Sequence, residues 1–215
     1  MTSQPIIAPE TLLLAYSRGI FPMAESRQAA EIFWVDPRHR GILPIDGFHV
    51  SRSLRRRIRT APFRVTFDRA FAAVVSGCAD REETWINAEI AGLYTQLHEC
   101  GFAHSIELHD ADGLAGGVYG VAIGAAFFGE SMFSRRKDAS KIALFYLVDR
   151  LREGGFTLFD TQFLTPHLAS LGAIEIPRHA YRALLSEAVV GVARFDAHRP
   201  VDEPDHVLQR MTQRS

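Results

Sequence analysis

The sequence contains no run of about 18 apolar residues, the least a membrane-spanning helix needs. Its longest apolar stretch, Gly113 to Gly129, is broken by six glycines. Residues 1–5 show no basic segment leading into an apolar core, so no export signal is expected. Cysteine is scarce: Cys78 and Cys100 are the only two, and without export they read as reduced thiols of a cytoplasmic protein. Nine histidines occur, yet none in His-x-x-x-His or His-Glu-x-x-His spacing, and no Cys-x-x-Cys exists, so no metal site is expected. His104 and His109 would point to opposite faces of a strand. A P-loop and a dinucleotide fingerprint are missing too, and no cofactor is expected. Phe133 stands two positions after Ser131, where a nucleophile elbow needs glycine.

What is present describes a globular chain. The 215 residues are 47% hydrophobic and 23% charged, too apolar for a disordered chain and enough for a sizeable core. That length suits one domain with at most a small appendage. Lysine is nearly replaced by arginine, with Lys137 and Lys141 set against 22 arginines. The formal net charge of -1 hides a concentration: six arginines and no acid stand between Arg52 and Arg64. A dense patch on a neutral protein points to a localised anionic partner. A solvated helix face in an arginine-rich chain is the competing explanation.

Local signals suggest the elements. Residues 1–8 read as a loose tail. Pro9 opens a helix that stops at Gly19, and Ile20 to Met23 leaves it extended. Phe33 to Pro44, with two prolines and a glycine, reads as irregular or edge strand. His49 to Thr60 is a short helix capped by Ser51 or Ser53, its arginines on the surface. Phe63 to Phe67 alternates as a half-buried strand. Asp68 is expected to cap a helix to Gly77, and Asn87 one to Cys100, ended by Gly101. Ala103 to His109, Leu114 to Ile123 and Ala125 to Gly129 follow as strands, the first two joined by a turn at Asp110 to Gly113. A helix runs from about Asp138 to Glu153. Phe156 to Phe159 is a buried strand ending at Asp160-Thr161-Gln162. Pro166 to Leu171 and Pro177 to Leu185 are helices. The order predicts an α/β fold, a mixed sheet with helices on its faces.

Two places hold polar residues where apolar ones are expected. Glu130 lies in the apolar run Phe127-Phe-Gly-Glu-Ser-Met-Phe133. Burying a carboxylate costs several kcal/mol unless it is paired, so Glu130 is either a hydrogen-bonded structural group or one held for chemistry. Asp160 and Gln162 follow a buried strand, where α/β sheets place ligands, and side chains at i and i+2 of a strand face one side. An Asp that caps the next helix is the simpler alternative. Phe127, Phe128, Phe133 and Trp85 are mostly core by type.

Together these pieces resemble the leucyl/phenylalanyl-tRNA–protein transferases. The resemblance spans Leu12 to about Tyr181. It rests on ordered blocks: Tyr16-Ser-Arg-Gly-Ile-Phe-Pro22, Asp36-Pro-Arg38, Ser51-Arg-Ser53, Thr84-Trp-Ile86, His104-Ser-Ile-Glu107, Gly116-Gly-Val-Tyr-Gly-Val121, Gly129-Glu-Ser-Met-Phe-Ser134, Ala139-Ser-Lys141 and Ala169-Ser-Leu-Gly-Ala173.

The resemblance implies a fold like that of acyl-CoA N-acyltransferases, residues 39–215, behind a reduced N-terminal domain, residues 1–38. It implies transfer of Leu or Phe, and to a lesser extent Met, from aminoacyl-tRNA to proteins beginning with Arg or Lys. That product is a degradation signal in the bacterial cytoplasm, and the enzyme is expected as a monomer with no membrane partner. By residue match, Asp160 and Gln162 are expected in catalysis, and with them Glu130, holding the substrate amino group or the peptide acceptor. Trp85, Val118, Phe127, Ser131 and Met132 are expected around the esterified side chain. Arg52, Arg55, Arg56, Arg57 and Arg59 become the expected phosphate-binding face. Asp160 is expected to polarise the side chain of Gln162, whose carbonyl oxygen accepts from the attacking amine. Two rivals stand beside this. An acyl-CoA-dependent N-acyltransferase needs a glycine-paired loop before the long helix, but Ser134 to Ala139 has none. A non-catalytic tRNA-binding module would have no reason to keep Glu130, Asp160 and Gln162.

Overall fold

Helix α1 (Pro9–Ser17) starts on the proline, whose fixed φ suits a first helical position, and buries Leu12 and Tyr16. The computed structural model describes residues 7–29 and 31–212, so most of the tail read over residues 1–8 lies outside the described residues. After Gly19, at φ +80°, the chain enters a separate antiparallel ribbon of β1 (Phe21–Ala24) and β2 (Ile32–Val35).

Seven further strands form one sheet. They are β3 (His39–Ile42), β4 (Arg64–Phe67), β5 (Ala103–Asp110), β6 (Gly113–Ile123), β7 (Ala126–Ser134), β8 (Leu158–Gln162) and β9 (Ile174–Pro177). Their order is β4-β5-β6-β7-β8-β3-β9. Every neighbouring pair is antiparallel except β7 and β8. A parallel pair needs a crossover, and helix α5 (Ala139–Glu153) supplies it.

Of the span expected as irregular or edge strand, the part in β2 is an edge of the two-stranded ribbon, whereas β3 is inside the larger sheet, between β8 and β9. Gly41 permits this, because a Cβ there would stand 2.6 Å from the main-chain carbon of Phe163. Strand β9 fills part of the gap between the two expected helices, Pro166 to Leu171 and Pro177 to Leu185, and takes Pro177 from the second.

Helices cover both faces. Helix α5 is buried at every position from Ile142 to Leu151. It lies between the sheet and two outer helices, α2 (Arg52–Thr60) and α8 (Pro204–Thr212). A helix covered all round must satisfy its polar groups internally. Asp149 therefore accepts two 2.8 Å bonds from Arg210, and Arg150 donates to the main-chain oxygens of Asp196 and Arg199.

Ser51 caps α2 as expected, accepting from the Leu54 amide at 3.2 Å. Asn87 caps α4 (Ala88–Glu99) in the same way at 2.8 Å. Asp68 does not cap α3 (Phe71–Ala79). It sits at φ +55° and binds the Ser105 amide and His104 Nδ1, both at 2.7 Å. Buried Glu107 of β5 instead receives the Arg69 and Ala70 amides just ahead of α3, at 3.4 and 3.3 Å, and the helix has no side-chain cap. Two short helices, α6 (Pro166–Ala169) and α7 (Arg178–Ala188), complete the set.

The N-terminal elements share the core on the α3/α4 face. Leu12, Tyr16, Phe21 and Ala24 pack in one cluster with Val74, Ile90, Tyr94 and Phe128. This packing brings Tyr16 to the site described next.

Candidate active site

Strands β7 and β8 pair only from Ala126–Leu158 to Phe128–Asp160, and then part. Both strands carry a bulge at the parting point. On β7, Gly129 faces Gly120 and Ser131 faces Tyr119, so Glu130 is the extra residue. On β8, Asp160 faces Ile42 and Gln162 faces Gly41, so Thr161 is the extra residue. A bulge kinks its strand and re-aims side chains, which is why these polar groups leave the regular alternation. Gly120 makes room opposite the first bulge: a Cβ there would be 2.3 Å from the Phe128 oxygen.

Glu130 is 8% exposed. Tyr94 donates its hydroxyl to Glu130 Oε2 at 2.6 Å, and the Tyr16 hydroxyl lies 2.6 Å from that of Tyr94. Gln162 donates Nε2 to both Glu130 oxygens at 3.0 Å. Burial pushes the Glu130 carboxyl up to about 7, outweighing hydrogen bonds from Tyr94, Tyr16 and Gln162 that favour the charged form; Asp160 adds to the rise. Burial likewise raises the hydroxyls of Tyr16 and Tyr94, with Glu130 adding to it, so both remain donors near neutral pH.

Asp160 has no exposed surface and is saturated. It accepts Arg40 Nε at 2.9 Å and Nη2 at 2.6 Å, the Tyr181 hydroxyl at 2.6 Å and the Gln162 amide at 2.8 Å. The Arg40 guanidinium lies 4.6 Å from the ring centres of both Phe21 and Tyr181 and donates to the Gly19 oxygen. Gln162 is held at φ +63°, a region few non-glycine residues occupy.

That backbone turn changes the expected link. Asp160 grips the Gln162 main chain, while the Gln162 side chain turns to Glu130. The side-chain amide is polarised by Glu130, not by Asp160, because the bulge at Thr161 breaks the i, i+2 alignment of an even strand.

A small cavity of about 70 Å³ opens beside the pair. Val118, Ser131 and Met132 line it with Glu130, as do Leu144, Phe159, Thr161 and Leu168. Thr161 Oγ1 is buried with no hydrogen-bond partner among the described residues. Phe127 is not part of this lining. It is fully buried beneath it, edge-on to Phe156 and Phe159. Trp85 packs half-buried against the core on the α3/α4 face, also apart from the cavity. The arginines of α2 stand on the α5 side. Arg52, Arg56 and Arg59 are exposed, Arg55 and Arg57 half-buried, and Arg59 pairs with Asp205 of α8 at 2.5 Å.

Sequence reading misses Arg40, Tyr16, Tyr94, Tyr181 and Thr161. Tyr16 sits in one of the family-like blocks and Arg40 just after another, but nothing local announces that Arg40 meets Asp160, 120 positions away.

A mixed sheet whose two parallel neighbours part around a buried carboxylate and amide defines an N-acyltransferase-like fold. The solved structure of FemX shares it, with a TM-score of 0.53 at 12% identity, over 78% of this chain and 66% of that one. The sequence is more specific. Residues 42–186 match the family model for leucyl/phenylalanyl-tRNA protein transferase, and residues 6–38 the model for that family's N-terminal domain. A leucyl/phenylalanyl-tRNA–protein transferase of Cereibacter sphaeroides strain ATCC 17023 is 62% identical over 98% of this chain and 99% of its own. One of Ruegeria pomeroyi is 61% identical over 97% of this chain and 99% of its own. The chain belongs to the leucyl/phenylalanyl-tRNA protein transferase family, and it is an aminoacyltransferase.

Proposed function

We propose that this enzyme moves Leu or Phe, and more weakly Met, from aminoacyl-tRNA to the α-amine of proteins that begin with Arg or Lys. The product marks those proteins for degradation in the cytoplasm, and the enzyme works as a monomer built from units 1–38 and 39–215. One observation carries the reading: the Glu130–Gln162 pair stands beside a small apolar cavity at the parting of β7 and β8. A cavity lined by Val118, Met132, Leu144 and Phe159 rejects charged side chains by desolvation but separates apolar ones weakly, which suits a donor set of Leu, Phe and Met.

The reaction is aminolysis of an activated ester, so orientation and a route for one proton suffice. An α-amine ordinarily titrates at about 8, so the acceptor is partly neutral at pH 7. Its N–H donates to Gln162 Oε1, which Glu130 orients by binding the amide nitrogen. The amine nitrogen forms the new C–N bond, the ester C–O bond breaks, and the lost proton ends on the ribose oxygen, relayed by the vicinal hydroxyl. Asp160 and Arg40 are positioning residues that fix the Gln162 backbone. The mechanism uses no acyl-enzyme: the Cys78 thiol is buried and pushed up to about 12, and neither it nor the exposed Cys100 lines the cavity.

The test is transfer of labelled Leu from Leu-tRNA to a protein starting with Arg, against the same protein starting with Ser. Label on the Arg form alone supports the reading. Label on neither, with the donor intact, removes it.

The arginines of α2 are proposed to bind tRNA phosphates. Replacing Arg55, Arg56 and Arg57 by Ala should weaken tRNA binding and flatten its salt dependence by roughly 0.7–0.9 log units for every phosphate no longer neutralised. Measuring the tRNA Kd at several salt concentrations checks this. An unchanged slope leaves α2 as a solvated face.

A further inference from the structure

Next to the apolar cavity, and sharing Met132 with it, lies a larger one of about 410 Å³. Its polar wall is made by Asp80 and Arg81 after α3, Ser134 and Arg135 at the end of β7, Ser140 in the first turn of α5, and His167 of α6. The hydroxyl of Ser134 accepts from the Ser140 amide at 3.2 Å, which fixes the turn between β7 and α5.

The two arginines are weakly engaged by acids. Arg135 has Asp80 at 3.8 Å, with both side chains at least half exposed, and its guanidinium lies 5.2 Å from the Phe133 ring centre. The Arg81 guanidinium donates to the main-chain oxygen of Met132. The neighbouring Arg136, by contrast, is taken up by Asp110 at 2.9 Å and Asp112 at 2.7 Å. His167 Nε2 is buried with no partner among the described residues. Burial and nearby Lys141 lower the His167 pKa, against an opposing Asp138, so the ring is neutral at pH 7 and one nitrogen is left to bond. A cavity with two lightly held guanidinium groups and an unpartnered imidazole has the chemistry of a phosphate site.

We propose that this second cavity takes the phosphodiester that precedes the terminal nucleoside of the donor RNA, held by Arg81, Arg135 and His167. This rests on the proposed donor. With the esterified side chain in the 70 Å³ cavity, the ribose spans Met132 and its 5′ phosphate falls in the 410 Å³ cavity. Binding the phosphate carries no base information and fixes the register of the ester against Glu130 and Gln162.

The test compares leucyl-adenosine with the leucylated dinucleotide cytidylyl-adenosine, and with the same dinucleotide carrying a neutral methylphosphonate link. Charge-assisted hydrogen bonds of this kind correspond to roughly 10-fold or more in affinity. The natural dinucleotide should show a KM lower by about that factor, and the methylphosphonate should lose the gain. Arg135→Gln and His167→Ala should each bring the dinucleotide KM toward that of leucyl-adenosine. In the protein's NMR spectrum, cytidylyl-adenosine should move the His167 ring signals, and adenosine should not.

Equal KM for all three donors overturns the proposal, as does a gain that survives both substitutions or the neutral link. Competition by coenzyme A against the dinucleotide overturns the RNA assignment and makes the cavity a pyrophosphate site. Failure of transfer from all donors counts instead against the proposed function.

Discussion

Asp160→Ala should cost the protein stability before it costs activity. The substitution leaves the Arg40 guanidinium, 1% exposed, without its carboxylate. It also strands the Tyr181 hydroxyl and the Gln162 amide. Removing one partner of a buried pair costs about 3–5 kcal/mol, because the other charge stays buried. For a chain of this size each kcal/mol corresponds to roughly 2–4 °C, so the melting temperature should fall by about 6–20 °C. The double variant Arg40→Met/Asp160→Leu should recover much of that loss, since no uncompensated charge remains. Thermal unfolding of the two variants and the native protein decides it. A melting temperature for Asp160→Ala within about 2 °C of native would mean that the pair contributes nothing to the fold.

Gln162→Ala should behave in the opposite way. Its side chain bonds only Glu130 among the described residues, and Ala keeps the backbone that Asp160 grips. Stability should stay close to native. Turnover should fall by about 10²–10³, the loss typical of removing one preorganised hydrogen-bonding group at a reacting centre. The KM for aminoacyl-tRNA should change little, because Gln162 belongs neither to the lining of the apolar cavity nor to α2. Single-turnover transfer at saturating donor separates the chemical step from binding. Near-native turnover would take Gln162 out of the mechanism and leave its pairing with Glu130 as packing.

Much of the frame is legible in the sequence because it depends on near neighbours. Ser51 and Asn87 cap their helices, the Asp110–Gly113 turn joins two strands, and α5 is marked by apolar spacing. The buried polar residues Glu130, Asp160 and Gln162 are also legible, as polar groups in apolar surroundings. Their connections are not. A bulge depends on how two strands are paired, and no residue type signals it, so Thr161 and the turn of Gln162 toward Glu130 stay invisible. Arg40 illustrates the same limit. It sits in a segment rich in proline and glycine, and only the pairing of β3 between β8 and β9 makes it the counter-ion of Asp160. Asp68 misleads because its carboxylate is taken up by Ser105 and His104 of β5, which leaves α3 without a side-chain cap. Helix α8 escapes because it forms against α2 and α5, beyond the last block that suggests a family.

The central claim is that Glu130, bonded to Gln162, orients the group that meets the acceptor amine. Its most direct test is the pH dependence of kcat/KM for the acceptor in the native enzyme and in Glu130→Gln. Glu130 titrates at about 7 and is flanked by Tyr94, Tyr16, Gln162 and Asp160. Its charged form holds the Gln162 amide nitrogen, so activity should rise as pH increases through that value. The acceptor amine, titrating at about 8, adds a second rise. The native acid limb should therefore contain two ionisations and approach a slope of about two below roughly pH 6. In Glu130→Gln the rate should drop, and the limb should keep only the amine's ionisation, with a slope of about one. Superimposable limbs would contradict the claim, since the carboxyl at the parting of β7 and β8 would then have no part in the step.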